Sequence, residues 1–443
     1  VSGPDFARAA NRGALRGGLA RMRAVEELGS LILSRGVKHC LVLSEQGCGN
    51  RARDALCGIA KSLNSAGVTA EVLHVAATDG GRRPGPKAAS TAAGVARRVR
   101  AQAVVGVGAG GILDLAKAAA ITAAWSPHED NTSGRCYTDS AMLRGGAAPL
   151  RRLGEGFFTK SDRSLRTFLV PTTATVAAAS KRVLLQDLEA GGSLVPLANV
   201  ESGAQQCRVP IPALIEIVGD TKLVSHQSAA ATMAAATHAL GTFVDAALAS
   251  AGRPGTPVPR LWRLLWWDMT AGLASTVAAM KDPMAKEDAL RAALCAGSAA
   301  STVDASTHRG LSVVHTLACV VAGSCPDLPF PAVVAALLPP VLRVWGVHSS
   351  PEEFAALTSV CEGILRRRLS SANELASWVE ERCASAGVPR PALAPWGDPD
   401  HMAVALALRA DATPALQHSS APAWVRDQAI LAFIFREVFS SGR

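Results

Sequence analysis

The chain has 443 residues, of which 49% are hydrophobic and 18% are charged, a composition that excludes a disordered chain and is sufficient for about two domains. The formal net charge of +9 is modest for this length and is spread along the chain, which argues against a nucleic-acid-binding protein. The 10 cysteines include no CxxC pair, so the sequence contains neither a zinc finger nor a disulfide framework.

The first 24 residues bear on where the protein resides. They contain several arginines against the single acid Asp5, a composition similar to that of organelle transit segments. We therefore expect a mitochondrial location, with a plastid or the cytoplasm as alternatives; the stretch could equally be a surface strand and helix of the fold. The most hydrophobic stretch, PFPAVVAALLPPVLRVW, is broken by Pro339 and Pro340, so we expect no membrane-spanning segment.

From Lys38 onward the sequence alternates between strand and helix patterns. HCLVLSE and VTAEVLHV predict strands around the helix RARDALCGIAKSLNSAG, and the strand AQAVVGVGAGG runs through glycines into the helix ILDLAKAAAITAA. A strand, RTFLVPTT, follows a long polar insertion near residues 126–165, which we expect to be a contact surface. The alternation predicts an α/β domain with a parallel sheet over residues 1–218.

Beyond Asp220 the apolar segments become long and have helical periodicity. They predict helices over residues 226–250, 260–280, 284–303, 330–346, 351–367, 371–386 and 422–439. We therefore predict an all-helical second domain over residues 219–443, with the boundary near residues 215–222.

The turn between the third strand and its helix is rich in glycine. Its glycines are Gly106, Gly108, Gly110 and Gly111. Backbone N–H groups at such a helix start can face a pyrophosphate, and the missing side chains let it approach. With Asp114 and Lys117 the segment reads GAGGILDLAK, which resembles the GGGSxxDxAK signature of the iron-containing (group III) alcohol dehydrogenases. That resemblance implies a Rossmann-like α/β domain followed by an all-helical domain, the dehydroquinate synthase-like architecture.

Six further segments resemble motifs of this family, in the family's order. They are LVLSE, PTTATVAAAS, IPALIEIVGDTKL, MAAATHALG, RGLSVVHTLAC and ALLPPVLR, and together they cover most of residues 30–345. PDFA and SPHED also resemble segments of the mitochondrial hydroxyacid-oxoacid transhydrogenase branch. The resemblance implies that NAD(P) would be bound by eight residues: Glu45, Gly108, Gly110, Gly111, Asp114, Lys117, Thr172 and Thr173.

The family's metal site is incomplete in this chain. Family members hold one divalent metal, usually iron or zinc, with an Asp and a His one helical turn apart and with two further His. The corresponding positions here are Ala234, His238, His315 and Phe330. Two neutral imidazoles without a carboxylate seldom hold a metal tightly, so we expect no metal. The alternative role for both histidines is that of hydrogen-bonded core residues.

The proton-relay position and the cofactor-binding loops also differ from those of the family. Cys319 stands where the family has a proton-relay histidine, and a neutral thiol is a poor substitute for imidazole. Ala109 replaces a glycine of the phosphate turn. In PTTATVAAAS, the segment from Pro171 that we call the PTT loop, the family's GTGSE is replaced by TVAAA from Thr175. A family lysine is replaced near Ser193. These changes would weaken cofactor binding. Asp114 and Lys117 could instead be an acid in the first helical turn and a helix-surface lysine.

Three hypotheses follow for function. The first is a catalytically degenerate family member, a pseudoenzyme that is a structural or regulatory subunit of a homo- or hetero-oligomer, with contacts after Ser126 and after Pro389. The second is a metal-independent NAD(P)H reductase, since maleylacetate reductases resemble this family and transfer hydride without the metal. The third is an ordinary metal-dependent dehydrogenase or transhydrogenase. Its ligands would come from unexpected positions, such as His308, Cys319, Cys325 or Asp327.

Overall fold

A computed structural model describes most of the chain. The described residues are 20–21, 25–46, 49–76, 84–124, 165–179, 183–187, 193–197, 215–251, 272–307, 313–325, 327–348, 371–391, 398–411 and 423–440. The chain divides into two compact units, which meet in sequence between His226 and Gln227. The predicted transit segment, apart from residues 20 and 21, and the predicted insertion, apart from residue 165, lie outside the described residues.

The first unit contains a six-stranded parallel sheet and a two-stranded antiparallel ribbon. The strands are β1 (Ala20–Arg21), β2 (His39–Gln46), β3 (Thr69–Ala76), β4 (Ala103–Gly108), β5 (Arg166–Pro171), β6 (Val183–Asp187), β7 (Ser193–Leu197) and β8 (Ile215–Val218). The order in the large sheet is β1-β8-β5-β4-β2-β3, and β6 pairs with β7. β3 therefore lies on one side of β2, and β4, β5 and β8 follow in order on the other side. This change of direction creates a topological switch point between β2 and β4.

Helices connect the parallel strands of this unit. They are α1 (Leu28–Ser34), α2 (Gly49–Ser65), α3 (Pro86–Arg98) and α4 (Gly110–Ala124), and the short α5 (Thr221–Val224) follows the last strand, β8. Every residue of the central strand β4, AVVGVG, is buried, as expected for a parallel strand that is covered on both faces. The edge strand β3 has no buried residue. The predicted Rossmann-like α/β fold is therefore confirmed.

Close packing of β4 against α4 explains one glycine of the turn. A Cβ atom at Gly106 would lie 2.7 Å from the Cβ atom of Ala116 on α4, a distance shorter than two carbon atoms tolerate. Gly106 therefore allows the helix to lie directly on the strand, and so fixes where α4 begins relative to the sheet.

The second unit is helical in all the residues that the structure describes from Gln227 onward. Its helices are α6 (Ala229–Ala251), α7 (Lys286–Thr307), α8 (Val313–Ser324), α9 (Phe330–His348), α10 (Ala372–Ser385), α11 (Pro399–Asp411) and α12 (Gln428–Ser440), with a further helical segment over residues 272–281. The predicted all-helical domain is confirmed. The helix predicted over residues 351–367 lies outside the described residues.

Helix α9 confirms the helix that the sequence predicts over residues 330–346. Pro339 and Pro340 lie inside the helix, which continues through both of them. Proline lacks the N–H group of a helical hydrogen bond, but α9 is almost entirely buried, and packing outweighs this loss. Among the described helices, α9 is long and apolar enough to cross a membrane, yet 72% of its apolar window is buried inside the protein. Burial of this kind is typical of a core helix.

Candidate functional site

The glycine turn lies at the carboxyl edge of the parallel sheet, at the switch point. Gly108 ends β4 with φ of 152°, a conformation that side chains rarely adopt. Ala109 follows, and its carbonyl oxygen accepts hydrogen bonds from the N–H groups of Ile112 and Leu113 in the first turn of α4, at 3.0 and 3.2 Å. Strand, glycine turn and helix N-terminus thus have the arrangement that binds a dinucleotide phosphate in α/β folds.

Three of the predicted cofactor residues meet at this edge. In the sheet register, Ser44 of β2 pairs with Val107 and Pro171 of β5 pairs with Gly108, so the next residues, Glu45 and Thr172, flank the turn on its two sides. The Thr172 N–H group donates to the Gly108 carbonyl oxygen at 3.0 Å. Thr173 is half-buried on the same loop.

The altered PTT loop folds over the start of α4. Thr175 caps a 3₁₀ turn, Val176–Ala178, by accepting a hydrogen bond from the Ala177 N–H group. A Cβ atom at Gly110 would lie 2.9 Å from the Thr175 hydroxyl oxygen, so this hydroxyl lies directly against the backbone that the motif offers to a phosphate. Ala109, Gly110 and Gly111 are all half-buried.

Asp114 and Lys117 lie beneath the turn rather than on its surface. The Lys117 Nζ atom is 2.6 Å from Asp114 Oδ1, and their side chains are 0% and 1% exposed. The same ammonium group donates to the Ala177 carbonyl oxygen at 3.0 Å. The alternative of a surface lysine is therefore wrong. The pair joins α4 to the PTT loop, and neither side chain faces solvent where a cofactor could touch it.

In the second unit, two helices bring the two predicted imidazoles together. His238 lies on α6 and His315 on α8, both buried, and their Nε2 atoms are 2.7 Å apart. One Nε2–H group therefore donates to the other Nε2 atom. Hydrogen-bonded core histidines, the alternative role expected from the sequence, have this geometry.

The two substituted ligand positions belong to the same cluster. The ring of Phe330, at the start of α9, lies edge-on to His238 with centroids 5.5 Å apart and lies 6.0 Å from the ring of His315. Ala234 is buried on α6, one helical turn before His238 and on the same face. An aromatic ring and a methyl group thus stand where the family resemblance places a histidine and a carboxylate.

Asp245 is a member of this cluster that sequence reasoning missed. It is buried on α6, and its Oδ2 atom lies 3.7 Å from Nδ1 of His315. The spacing of seven residues from His238 would have indicated it, since i and i+7 share a helix face. A carboxylate on the far nitrogen favours the tautomer in which Nδ1 carries the proton and Nε2 of His315 faces His238.

The remaining candidate ligands do not complete a metal site in the described part of the chain. Cys319 is buried on α8, one turn after His315, and His308 lies outside the described residues. Burial, together with the carboxylate of Asp327, raises the pKa of the Cys325 thiol to about 11, which disfavours the thiolate that a metal needs. Among the described residues, no group of three or more His, Cys, Asp and Glu side chains could hold an ion.

The donor set and its spacing do not fit the family metal. A tetrahedral ion with two metal–nitrogen bonds of ~2.0–2.1 Å would hold the two nitrogens about 3.3 Å apart. The Nε2 atoms of His238 and His315 are instead in direct hydrogen-bond contact, and the nearby Phe330 ring offers no lone pair. Two imidazoles in this arrangement are a hydrogen-bonded core pair rather than a metal clamp.

Part of the chain matches the model of a known protein family. Residues 20–198 match the family model described as iron-containing alcohol dehydrogenase. No curated protein sequence matches the chain significantly.

Solved structures resemble nearly the whole chain. The maleylacetate reductase from Agrobacterium tumefaciens is 20% identical, with a TM-score of 0.62 over 96% of this chain and 97% of that one. NADH-dependent butanol dehydrogenase A from Thermotoga maritima is 14% identical, with a TM-score of 0.65 over 95% and 96% of the two chains. An archaeal halo-thermophilic alcohol dehydrogenase from a Red Sea brine pool is 13% identical, with a TM-score of 0.67 over 95% and 96%. These similarities establish the shared fold.

Proposed function

We propose that the chain is a member of the iron-containing alcohol dehydrogenase family, whose model matches residues 20–198, that it has lost the metal-dependent reaction, and that it serves as a structural or regulatory subunit of a protein assembly, in mitochondria. The observation that carries this proposal is the direct Nε2-to-Nε2 hydrogen bond between His238 and His315. In this bond, the two nitrogens that would bind a metal act as hydrogen-bond donor and acceptor to each other.

The surrounding residues support the same interpretation. Phe330 and Ala234 fill two ligand positions with apolar groups and are almost fully buried. Asp245 supplies a carboxylate on the opposite nitrogen of His315. These contacts would hold α6, α8 and α9 together without an ion. A protein whose fold is retained for its surface needs only stable packing at the former metal site.

The second candidate function is a metal-independent NAD(P)H reductase. One observation favours it: the glycine turn lies at the switch point, and Gly108 has a φ of 152°, a conformation that favours glycine. If a dinucleotide binds, the N–H groups of Gly110 and Gly111 would face its phosphates and Glu45 would lie towards a ribose. The bound cofactor would supply hydride to a carbonyl compound.

Calorimetric titration with NADH and NADPH separates the two functions. For the non-catalytic subunit we expect no binding below about 1 mM, because the Thr175 hydroxyl lies against the backbone of the phosphate turn at Gly110. Dissociation constants in the low micromolar range, with oxidation of the cofactor by a carbonyl compound, would instead establish the reductase.

A matched pair of glycine variants shows whether any binding occurs at the turn. A methyl group at Gly110 would meet the Thr175 hydroxyl, whereas at Gly94, on the exterior of α3, it would meet nothing within 4 Å. Binding at the turn would be weakened by Gly110→Ala and left unchanged by Gly94→Ala. Equal effects of the two substitutions would place the ligand elsewhere.

A further inference from the structure

Two adjacent prolines change the hydrogen bonding of α9 beside a pocket. Pro339 and Pro340 lie inside this helix, and a proline has no N–H group to donate to the carbonyl oxygen four residues before it. The carbonyl oxygens of Ala335 and Ala336 therefore lose their usual helical donors. These two alanines and both prolines line the same pocket in the second unit. The interruption and the pocket thus coincide.

The pocket lies among α9, α10 and α12 and encloses about 420 Å³, including its open mouth. Helix α10, the segment that follows it and α12 complete the lining with acidic, basic and apolar residues. The acidic residues are Glu380 and Glu437, the basic residue is Arg390, and the apolar residues include Val388, Pro389 and Val438. A small organic molecule fits a space of this kind, with part of its surface left in solvent.

The lining offers more hydrogen-bond acceptors than donors. Its two carboxylates and one guanidinium carry a formal charge of 1 − 2 = −1, and the carbonyl oxygens of α9 add partial negative charge. Arg343 donates two hydrogen bonds to the Glu380 carboxylate, at 3.0 and 2.5 Å, and so holds this carboxylate in place. Each carboxylate oxygen has lone pairs for a further donor. The pocket is therefore suited to a ligand that donates several hydrogen bonds.

The cysteine of the lining favours reversible rather than covalent binding. Burial raises the pKa of the Cys383 thiol, which keeps it in the neutral form that is a poor nucleophile. The hydroxyl of Thr237, 3.4 Å from the sulfur, donates its own proton to the Met233 carbonyl oxygen. The thiol therefore donates to Thr237, and this hydrogen bond leaves the acceptors of α9 to the ligand.

We propose that this pocket binds a primary alkylammonium ion. An ammonium group has three N–H donors and no acceptor, so it would donate to the carbonyl oxygens of Ala335 and Ala336 and to the carboxylate of Glu437. Hydrogen bonds from a charged donor are the stronger kind. The alkyl chain would contact Val388 and Val438. The inference does not depend on whether the chain is catalytic, because it uses no residue of the glycine turn or of the histidine cluster.

Titration of the full chain with n-butylammonium chloride, followed by saturation-transfer NMR at constant ionic strength, tests the binding. For a ligand of this size we expect a dissociation constant of about 1–10 mM. Tetramethylammonium carries the same charge without an N–H donor, and n-butanol carries the same alkyl chain without the charge. Each should bind at least ~10-fold more weakly. Equal binding of tetramethylammonium, or no saturation by n-butylammonium below about 100 mM, would overturn the proposal.

A substitution that restores a helical N–H group tests the role of the freed carbonyl oxygens. In Pro340→Ala the new amide donates to the Ala336 oxygen, so the dissociation constant of n-butylammonium should rise ~10-fold or more. Alanine favours the helix, and circular dichroism checks that the variant is folded. Pro331→Ala is the matched control, because Pro331 lies in the first turn of α9, where no helical donor is required. Pro339→Ala applies the same test to the second oxygen.

A charge-neutralising pair of variants locates the ligand at the pocket. Glu437→Gln should raise the dissociation constant ~3-fold or more, because the lost charge is half-exposed. Glu381→Gln removes an exposed carboxylate of α10 that is not part of the lining, and it should have no effect. Binding that the proline variants of the pocket leave unchanged, or that both glutamine variants weaken equally, would contradict the proposed site.

Discussion

Replacement of Lys117 by methionine is expected to lower the free energy of unfolding by about 3–5 kcal/mol, because it leaves the carboxylate of Asp114 buried without its cation. Lys117 and Asp114 are 0% and 1% exposed and form an ion pair inside the first unit. The substitution also removes the hydrogen bond to the Ala177 carbonyl oxygen, which joins α4 to the PTT loop. Urea denaturation followed by circular dichroism measures the change.

Two further variants make this prediction specific. Arg291→Met removes an ion pair with Glu287 on the surface of α7, where the side chains are 36% and 58% exposed, and it should change the free energy by less than about 0.5 kcal/mol. The double variant Asp114→Leu with Lys117→Met should recover most of the loss, since it removes both charges. A Lys117→Met variant as stable as Arg291→Met would show that the buried pair has no structural role.

The second large effect concerns metal binding. The double substitution Ala234→Asp with Phe330→His is expected to raise the affinity for Zn²⁺ or Co²⁺ by at least ~100-fold, because it restores two ligands and one negative charge beside His238 and His315. Phe330 is in ring contact with both imidazoles, and Ala234 is one helical turn from His238. Calorimetry with Co²⁺, and its visible absorption, would report the new site.

Matched substitutions separate ligation from a change in packing. Ala234→Asn with Phe330→Leu alters the same two buried positions without supplying a charged or imidazole ligand. Both double variants should be less stable than the parent chain, since two buried apolar side chains are replaced or reduced. Only the Asp and His variant should then gain thermal stability on addition of metal, by ligand linkage. A folded Asp and His variant that binds no metal would mean that the ligand positions are misplaced.

The sequence predicted the α/β unit well because its signals are local. The strand AVVGVG, its glycines and the helix that follows them are neighbours in the chain. The spacing of the apolar residues and the glycines of the turn therefore determine where α4 begins. Alternation of strands and helices was likewise sufficient for a parallel sheet. The sequence could not reveal the Thr175 hydroxyl against Gly110, because that contact joins residues far apart in the chain.

The burial of charge was the harder problem. Asp114 and Lys117 have the i, i+3 spacing of a common surface pair, and only the fold shows that both side chains are buried. By contrast, the helix predicted over residues 330–346 was correct although it contains Pro339 and Pro340, because burial of its apolar side chains outweighs the lost hydrogen bonds.

The cluster of His238, His315, Ala234 and Phe330 was predicted in part. The resemblance to the family brought His238, His315, Ala234 and Phe330 into one site, and the structure places the first two within 2.7 Å of each other. The hydrogen bond between the imidazoles and the approach of Asp245 could not be read from spacing alone, because α6 and α8 meet only in the folded unit.

Elemental analysis of the wild-type chain, expressed in medium supplemented with iron and zinc and purified without chelators, tests the loss of the metal site most directly. The proposed role predicts less than about 0.1 equivalent of metal per chain, and the same trace amount in a His238→Ala variant. A content near one equivalent that disappears in His238→Ala would contradict it, because a functional metal would then occupy the position that the His238–His315 hydrogen bond fills.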